Sequence, residues 1–259
     1  MGLSNVITDR AYSTYEAIID KEVRSLGVPQ HIAIIMDGNR RYAEEVLKAD
    51  KMEGHKLGKD KLEEMLHWCL ALDIKVLTVY AFSTENFNRA ESEVEYLMEL
   101  LEASLYEFAD DPEVHEHKVA INVIGDLDML PETVITAMKY AKEKTEGYDR
   151  HFLNMAIAYS GRQDIVQAVR NIVQDAKDGK IDVIDVNESL ISGYMSTYGF
   201  PDPDLVMRTS GEIRISNFLL WQMAYSELYF TDVYWPGFRY IDLLRAIRTY
   251  QQRKRRYGR

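Results

Sequence analysis

Short apolar segments alternate with amphipathic helical patterns along most of the chain, and this alternation restricts the fold more than any other feature. Strands that alternate with helices predict an α/β domain with a mainly parallel sheet. The segment 75–82 is nearly continuous in apolar residues, as expected for a strand covered on both faces. We predict about six strands surrounded by helices, at 31–36, 75–82, 119–124, 152–158, 205–207 and 228–230.

Helical segments are predicted wherever apolar residues recur every three or four positions. In the segment 164–177, this spacing predicts that Ile165, Val169, Ile172 and Val173 face the core. The predicted helices span 10–26, 56–72, 91–109, 131–146, 164–177, 187–197 and 217–223.

Domain organisation is expected to be simple, because the chain has no internal repeat, low-complexity stretch or long linker. Residues 1–259 should form a single domain, with an N-terminal helical segment at 1–27 and a basic tail at 251–259. The tail contains five Lys or Arg residues and no acid. It could simply complement the dipole of a helix end. Otherwise it should meet an anion: a lipid, a nucleic acid, a neighbouring subunit or a bound phosphate.

Overall charge and cysteine content exclude several classes of protein. The net charge of −11 argues against a nucleic-acid-binding protein, which would need a basic surface. The one cysteine, Cys69, lies in an apolar helical segment, which predicts a core thiol in a reducing, cytoplasmic compartment. No apolar run approaches the roughly 20 residues that span a bilayer, so any membrane association should be peripheral.

Polar and cationic residues follow four of the predicted strands, at 37–41, 83–89, 159–162 and 208–216. Ligands of parallel sheets bind beyond the carboxyl ends of the strands, so these segments should meet. Arginine matches phosphate oxygens through two parallel hydrogen bonds, and glycine lets the backbone approach a ligand closely. Four converging arginine segments predict a pocket for several phosphate groups, as opposed to a set of surface salt bridges. A lone carboxylate such as Asp37 can hold Mg²⁺ when phosphates and water complete its coordination.

Other common sites are absent from the sequence. It contains no GxxxxGK[ST] phosphate loop, no GxGxxG after a strand and no GxSxG elbow. The histidines and the cysteine lack the spacing of a structural zinc site.

In their order along the chain, these motifs resemble the cis-prenyltransferases, the undecaprenyl and dehydrodolichyl diphosphate synthase family. The resemblance covers nearly the whole chain in five blocks: 31–41, 54–55, 80–89 with Glu93, 204–221 and 224–236. The run Asn39-Arg40-Arg41-Tyr42 resembles the archaeal and eukaryotic branch. Relative to bacterial members, one extra residue lies between Tyr42 and His55.

This resemblance implies six mainly parallel strands and an apolar tunnel for a growing prenyl chain. It implies Mg²⁺-dependent cis condensation of isopentenyl diphosphate with an allylic prenyl diphosphate, giving a polyprenyl diphosphate. It also implies a homodimer with a shared active site, and membrane association, if any, through the product.

The resemblance assigns roles to individual residues. Asp37 is expected to bind Mg²⁺, with Glu227 as a second metal carboxylate across the dimer interface, and Asn86 should lie near the reacting carbon. Lys51 stands where the family usually has an arginine. The allylic diphosphate should contact Gly38, Asn39, Arg40, Arg41, Lys51, His55, Ser83, Glu85 and Arg89. Isopentenyl diphosphate should contact Arg208, Arg214 and Ser216, together with Arg256 and Gly258 from the partner's tail.

Three alternatives remain open at the level of sequence. The same donor site could pass a prenyl group to a second allylic diphosphate or to an alcohol. The chain could be a non-catalytic scaffold subunit, although such subunits usually lose the aspartate and the phosphate-binding residues. The basic tail could bind nucleic acid, against which the overall charge argues.

Overall fold

One parallel sheet forms the centre of the structure, a computed structural model that describes residues 3–253, with side chains described from residue 14 onward. Within these residues the strands follow the order β3-β4-β2-β1-β5-β6, and every neighbouring pair is parallel. The predicted α/β fold is therefore confirmed. The strands are β1 (His31–Ile35), β2 (Val76–Ser83), β3 (Val119–Ile124), β4 (His151–Tyr159), β5 (Leu205–Arg208) and β6 (Glu227–Phe230).

Helices surround this sheet, and most of them match the predicted segments. They are α1 (Leu3–Ser25), α2 (Asn39–Arg41), α3 (Lys51–Ala71), α4 (Glu91–Asp110), α5 (Pro112–Glu116), α6 (Glu132–Lys144), α7 (Gly161–Lys177), α8 (Glu188–Tyr194) and α9 (Tyr240–Gln252). Three of these, α2, α5 and α9, were not predicted. No helix among the described residues is long and apolar enough to cross a membrane.

Both faces of the sheet are buried. One face packs against α3, α4 and α6, through residues such as Leu66, Leu105 and Ala137. Cys69 is part of this cluster, and burial raises the pKa of its thiol to about 12, as expected for a core residue. The opposite face carries Tyr80, which stacks on Phe218 with ring centroids 4.6 Å apart. Because both faces are covered, the carboxyl edge of the sheet is left for a ligand.

The predicted helix at 217–223 is wrong, because this segment is a series of turns. Ser216, Asn217 and Leu219 have φ values of 47°, 62° and 42°, which no right-handed helix contains. Phe218 and Leu219 are fully buried, so the apolar pattern reflected core packing and not helical periodicity.

The inward face of α7 was also predicted incorrectly in part. Ile172 is buried as expected, but Val169 and Val173 are 48% and 46% exposed. With Val166, they form an exposed apolar stripe beside the buried face that Ala168 shares with Ile172. The apolar arc of this helix is therefore wider than the surface that the described chain covers.

Two glycines allow α3 to approach α2 closely. A Cβ atom on Gly54 would lie 2.0 Å from the carbonyl oxygen of Asn39, and one on Gly58 would lie 2.7 Å from the Asn39 side chain. Between the two helices, residues Tyr42–Leu47 form a π-helical turn.

Replacing Gly54 with alanine should therefore lower the free energy of unfolding by roughly 1–3 kcal/mol, the usual cost of overpacking. Urea unfolding measures this change. Gly193→Ala on α8 is the matched control, because the nearest atom to its added Cβ would be 3.9 Å away. Equal stability of the two variants would contradict a tight contact between α2 and α3.

Candidate active site

A cavity of about 770 Å³ opens at the carboxyl ends of β1, β2 and β5. Three of the four predicted strand-end segments line it, but Arg162 of the fourth is exposed and lies outside its wall. The predicted convergence is therefore correct for three segments and wrong for 159–162. The predicted site residues in the wall are Asp37, Gly38, Asn39, Arg40, Arg41, His55, Ser83, Glu85, Asn86, Arg89, Arg208, Arg214 and Ser216.

Asp37 follows β1 directly and is fixed at both its backbone and its side chain. Its N–H donates to the Thr209 hydroxyl (2.9 Å), which donates to the Asp37 carbonyl oxygen (2.7 Å). Asp37 Oδ2 accepts from Arg208 Nη2 at 2.7 Å, and Oδ1 lies 3.4 Å from Arg41 Nη2. Burial alone would raise the pKa of Asp37, but Arg208, Ser210 and Arg41 hold it below the usual value. The carboxylate is therefore ionised at the cavity wall.

Gly38 satisfies two requirements of the turn after Asp37. Its φ of 103° favours glycine, and a Cβ atom there would lie 2.7 Å from the Tyr234 ring and 2.9 Å from Ser210 Cβ. The Arg41 guanidinium lies 5.6 Å from the centroid of the same ring and donates to Ser210 Oγ at 2.7 Å. Tyr234 and Ser210 thus hold Arg41 against the turn.

Arg208, at the end of β5, is only 5% exposed. Arg208 Nη2 donates to Asp37, while Nη1 donates to Ser216 Oγ at 2.7 Å and to the Arg214 carbonyl oxygen at 2.6 Å. Its Nε is buried and has no hydrogen-bond partner among the described residues. An unsatisfied buried donor in a cavity wall is typical of a ligand-binding position.

Glu93 is a central residue of the site to which the sequence assigned no role. It is 1% exposed and accepts from Lys51 (2.5 Å), Arg89 (3.0 Å) and His55 (3.2 Å), with Arg40 at 3.9 Å. Burial alone would raise its pKa, but Lys51, His55, Arg40 and Arg89 lower it to about 2. Burial lowers the pKa of His55, although Glu93 opposes this effect. Lys51 does not line the cavity; it contacts the other cations through Glu93.

Glu93→Gln is expected to destabilise the protein at neutral pH, and the loss should shrink as the pH falls. Because the folded-state pKa is depressed, ionised Glu93 stabilises the fold above the ordinary value of 4.5, and this contribution disappears between about 4.5 and 2. The difference corresponds to roughly 3 kcal/mol. Urea unfolding at several pH values tests this, with the exposed Glu95→Gln on the same helix as control. A loss that does not vary with pH would argue against the ion cluster.

The turn after β2 positions Ser83 and Asn86. The Ser83 N–H donates to Asn86 Oδ1 at 2.9 Å, while the Ser83 side chain accepts from the Asn86 backbone N–H. This reciprocal cap fixes Asn86 in the cavity wall.

Asn217 connects three strand ends, although no sequence motif had identified it as a site residue. Its Nδ2 donates to Ser160 Oγ (2.8 Å) and to Glu85 Oε1 (3.4 Å), and its carbonyl oxygen accepts from the Gly161 N–H (2.8 Å). Asparagine tolerates the left-handed conformation that this position requires. Asn217 also lines the cavity, and through it the segment after β4, which lies outside the cavity wall, is bonded to the segments after β2 and β5.

Glu212 links the two cationic sides of the cavity. It lies 3.2 Å from Arg41 Nη1 and forms an ion pair with Arg214, whose side chain is 61% exposed. The exposed Arg214 side chain can reorient towards an incoming anion at little cost.

Glu227 lies apart from Asp37 within the chain. It begins β6 and pairs in register with Leu205, whereas Asp37 follows the opposite, carboxyl edge of the sheet. Its carboxylate accepts from Arg253 Nη1 at 2.6 Å. The predicted Arg256 and Gly258 lie outside the described residues.

The site can be compared with known proteins. A family model described as putative undecaprenyl diphosphate synthase matches residues 35–258. Two relatives bear the name tritrans,polycis-undecaprenyl-diphosphate synthase (geranylgeranyl-diphosphate specific). The Methanocaldococcus jannaschii protein is 51% identical, over 94% of this chain and 88% of its own length. The Thermoplasma volcanium protein is 48% identical over the full length of both chains.

A solved structure shows the same architecture. Lavandulyl diphosphate synthase from Lavandula x intermedia, in complex with dimethylallyl diphosphate, superposes with a TM-score of 0.84 at 34% identity. The match covers 90% of this chain and 99% of that one.

The chain belongs to the undecaprenyl diphosphate synthase family of cis-prenyltransferases, which confirms the resemblance. It is a transferase of prenyl groups, which argues against the alternative of a non-catalytic scaffold subunit. The predicted reaction, condensation of isopentenyl diphosphate with an allylic prenyl diphosphate, is confirmed as that of the family.

Proposed function

We propose that the chain elongates geranylgeranyl diphosphate with isopentenyl diphosphate units in cis, with Mg²⁺, to undecaprenyl diphosphate. The observation that supports this most is the ionised Asp37 between two cationic groups in one cavity. Arg40, Arg41 and Arg89 lie after β1 and β2, and Arg208 and Arg214 lie in and after β5. Two such groups suit two diphosphates. The donor and product are inferred from the names of the relatives at about 50% identity.

Asp37 fits a Mg²⁺ ion that arrives with the diphosphate. Mg²⁺ keeps several water molecules and is usually held by one or two carboxylates together with substrate phosphates. Asp37 is ionised, lines the cavity and is 27% exposed at its side chain, so it offers one such carboxylate. When bound, the ion would neutralise charge on the departing diphosphate.

The residues around Asp37 have distinct proposed tasks. Arg40, Arg41 and Arg89 would hold the allylic diphosphate and stabilise its charge as the C–O bond breaks. Arg208 and Arg214 would place the double bond of isopentenyl diphosphate against the allylic carbon. A new C–C bond then forms, and the proton lost from isopentenyl diphosphate passes to a diphosphate oxygen.

An apolar path for the product begins at the bottom of the cavity. Ala81, Phe82 and Leu97 line the cavity together with the charged residues. A second depression of about 510 Å³ lies further along α4, lined by Phe87, Val94 and other side chains. We propose that the growing chain passes along this helix, where apolar walls keep water from the reacting carbon.

Two copies of the chain are proposed to share each active site. The exposed stripe Val166, Val169 and Val173 on α7 supports an interface, since it leaves apolar area uncovered. Glu227 can reach the metal of Asp37 only from a second chain.

Mixing Asp37→Ala and Arg256→Ala chains tests whether two chains share each active site. Heterodimers would contain one intact site, so about a quarter of wild-type activity should return, whereas a tail that acts within its own chain would restore none.

A second proposed function is prenyl transfer to an acceptor other than isopentenyl diphosphate. Similarity to lavandulyl diphosphate synthase is compatible with it, because a different acceptor would leave the residues that bind the allylic donor unchanged. Purified protein with Mg²⁺ should be given geranyl, farnesyl or geranylgeranyl diphosphate, each with and without isopentenyl diphosphate. We expect the highest kcat/KM with geranylgeranyl diphosphate and a product of undecaprenyl length. Prenyl transfer in the absence of isopentenyl diphosphate would favour the alternative acceptor.

A further inference from the structure

A second cluster of metal-ligating side chains lies between α3 and the junction of α4 with α5. Glu63 and His67 stand one turn apart on α3, and Asp111 is the cap residue between α4 and α5. Their ligand atoms all lie within 4.8 Å of one another. His67 Nε2 is 3.2 Å from Asp111 Oδ2 and 3.6 Å from Glu113 Oε2. Three carboxylates therefore surround one imidazole.

No Lys or Arg side chain of the described residues forms an ion pair with these carboxylates. The nearby lysines have other partners: Lys61 bonds Glu64 at 2.7 Å, and Lys59 pairs with Glu107. Asp111 Oδ1 accepts from the Glu113 N–H at 2.7 Å, which directs Oδ2 towards His67. Among the described residues, the cluster is a concentration of carboxylates without a Lys or Arg ion pair, and one of these carboxylates is oriented towards the imidazole.

We propose that Glu63, His67, Asp111 and Glu113 form a Zn²⁺ site that joins α3 to the α4–α5 junction. An imidazole with carboxylates suits Zn²⁺, whereas Mg²⁺ prefers oxygen ligands alone. Ligand atoms 2.0–2.2 Å from a tetrahedral ion lie about 3.3–3.6 Å apart, close to the two His67 separations. Glu63 is exposed, so its side chain can rotate to close the remaining gap.

The Zn²⁺ site is separate from the cavity of Asp37. His67 follows His55, a residue of the cavity wall, by 12 positions on α3, or about 18 Å along the helix axis. None of the four proposed ligands lines the cavity. Loss of the ion should therefore change stability and leave the prenyl-transfer activity unchanged.

Zn²⁺ titration of the full-length protein, in excess Mg²⁺ to compete at sites with oxygen ligands alone, tests the proposal. Calorimetry should show one Zn²⁺ per chain. His67→Ala and Asp111→Asn should each weaken binding at least about tenfold, since even an outer partner of a ligand is worth 10–100-fold. Asparagine is as good a helix cap as aspartate, so the second variant keeps the fold. Glu116→Gln, an exposed residue on α5, is the matched control and should bind as wild type.

Zn²⁺ should also raise the unfolding temperature of the wild type and of Glu116→Gln, and not that of the two ligand variants. Co²⁺ in place of Zn²⁺ should give visible absorption bands that His67→Ala loses. Absence of Zn²⁺ binding, or equal binding by wild type, His67→Ala and Asp111→Asn, would overturn the proposal.

Discussion

Replacing Asp37 with alanine is expected to lower kcat/KM by about 10³-fold or more, which corresponds to roughly 4 kcal/mol of transition-state stabilisation. The variant loses the carboxylate that we propose for Mg²⁺, and Arg208 loses its 2.7 Å partner. The fold should persist, because Arg208 keeps its bonds to Ser216 and to the Arg214 carbonyl oxygen. Steady-state kinetics with varied Mg²⁺ measure the loss, and circular dichroism checks the fold.

Two comparisons separate a metal role for Asp37 from a purely structural one. Asp37→Asn keeps the shape of the side chain but not its charge, so it should lose nearly as much activity. Glu44→Ala removes another acidic residue of the cavity wall and should retain most of it. An active Asp37→Asn enzyme with unchanged Mg²⁺ dependence would contradict the metal assignment.

Replacing Arg208 with alanine should reduce kcat/KM by about 10²–10³-fold, comparable to removal of one preorganised donor from a catalytic site. Arg208 holds Asp37 and Ser216 and leaves a buried Nε donor free of protein partners among the described residues. The variant should also lose roughly 2–3 kcal/mol of stability, because several hydrogen bonds to a charged group disappear.

Two further variants, Arg208→Lys and Arg214→Ala, separate the contribution of the positive charge from that of the hydrogen bonds of Arg208. Lysine keeps the charge but cannot reach several acceptors at once, so much of the activity should still be lost. Arg214 is largely exposed, so its alanine variant should raise KM for isopentenyl diphosphate with little change in stability. Near-normal kinetics of Arg208→Lys would show that charge alone suffices at this position.

The sheet and the strand ends could be predicted because they depend on local patterns. Continuous apolar runs identified strands such as β2 and β4, and parallel strands place their carboxyl ends at one edge. The residues after β1, such as Asp37 and Arg41, were therefore located before the structure was known. Gly54 and Gly58 lie within α3, and the close helix contact that they allow could not be predicted, since it is visible only once α2 and α3 are in contact.

Other features escaped prediction because they depend on tertiary contacts. Glu93 belongs to a predicted amphipathic helix, where a glutamate is ordinarily solvated, yet three cationic side chains, Arg40, Lys51 and Arg89, and the imidazole of His55 surround it. The segment around Phe218 and Leu219 is apolar because it covers the sheet, and its left-handed residues prevent a helix. Val169 on α7 was predicted to face the core from periodicity alone. Periodicity does not say how much of the apolar face of a helix the rest of the chain covers.

Incorporation of labelled isopentenyl diphosphate into a product primed by geranylgeranyl diphosphate tests the central claim most directly. The wild-type protein should incorporate several labelled units with new cis double bonds when Mg²⁺ is present, and none when EDTA removes it. With Mg²⁺, Asp37→Ala should incorporate label at least about 10³-fold more slowly than the wild type. Unlabelled product, or labelled product that forms equally well in EDTA, would contradict the claim that the cavity condenses two diphosphate substrates with Asp37 and Mg²⁺.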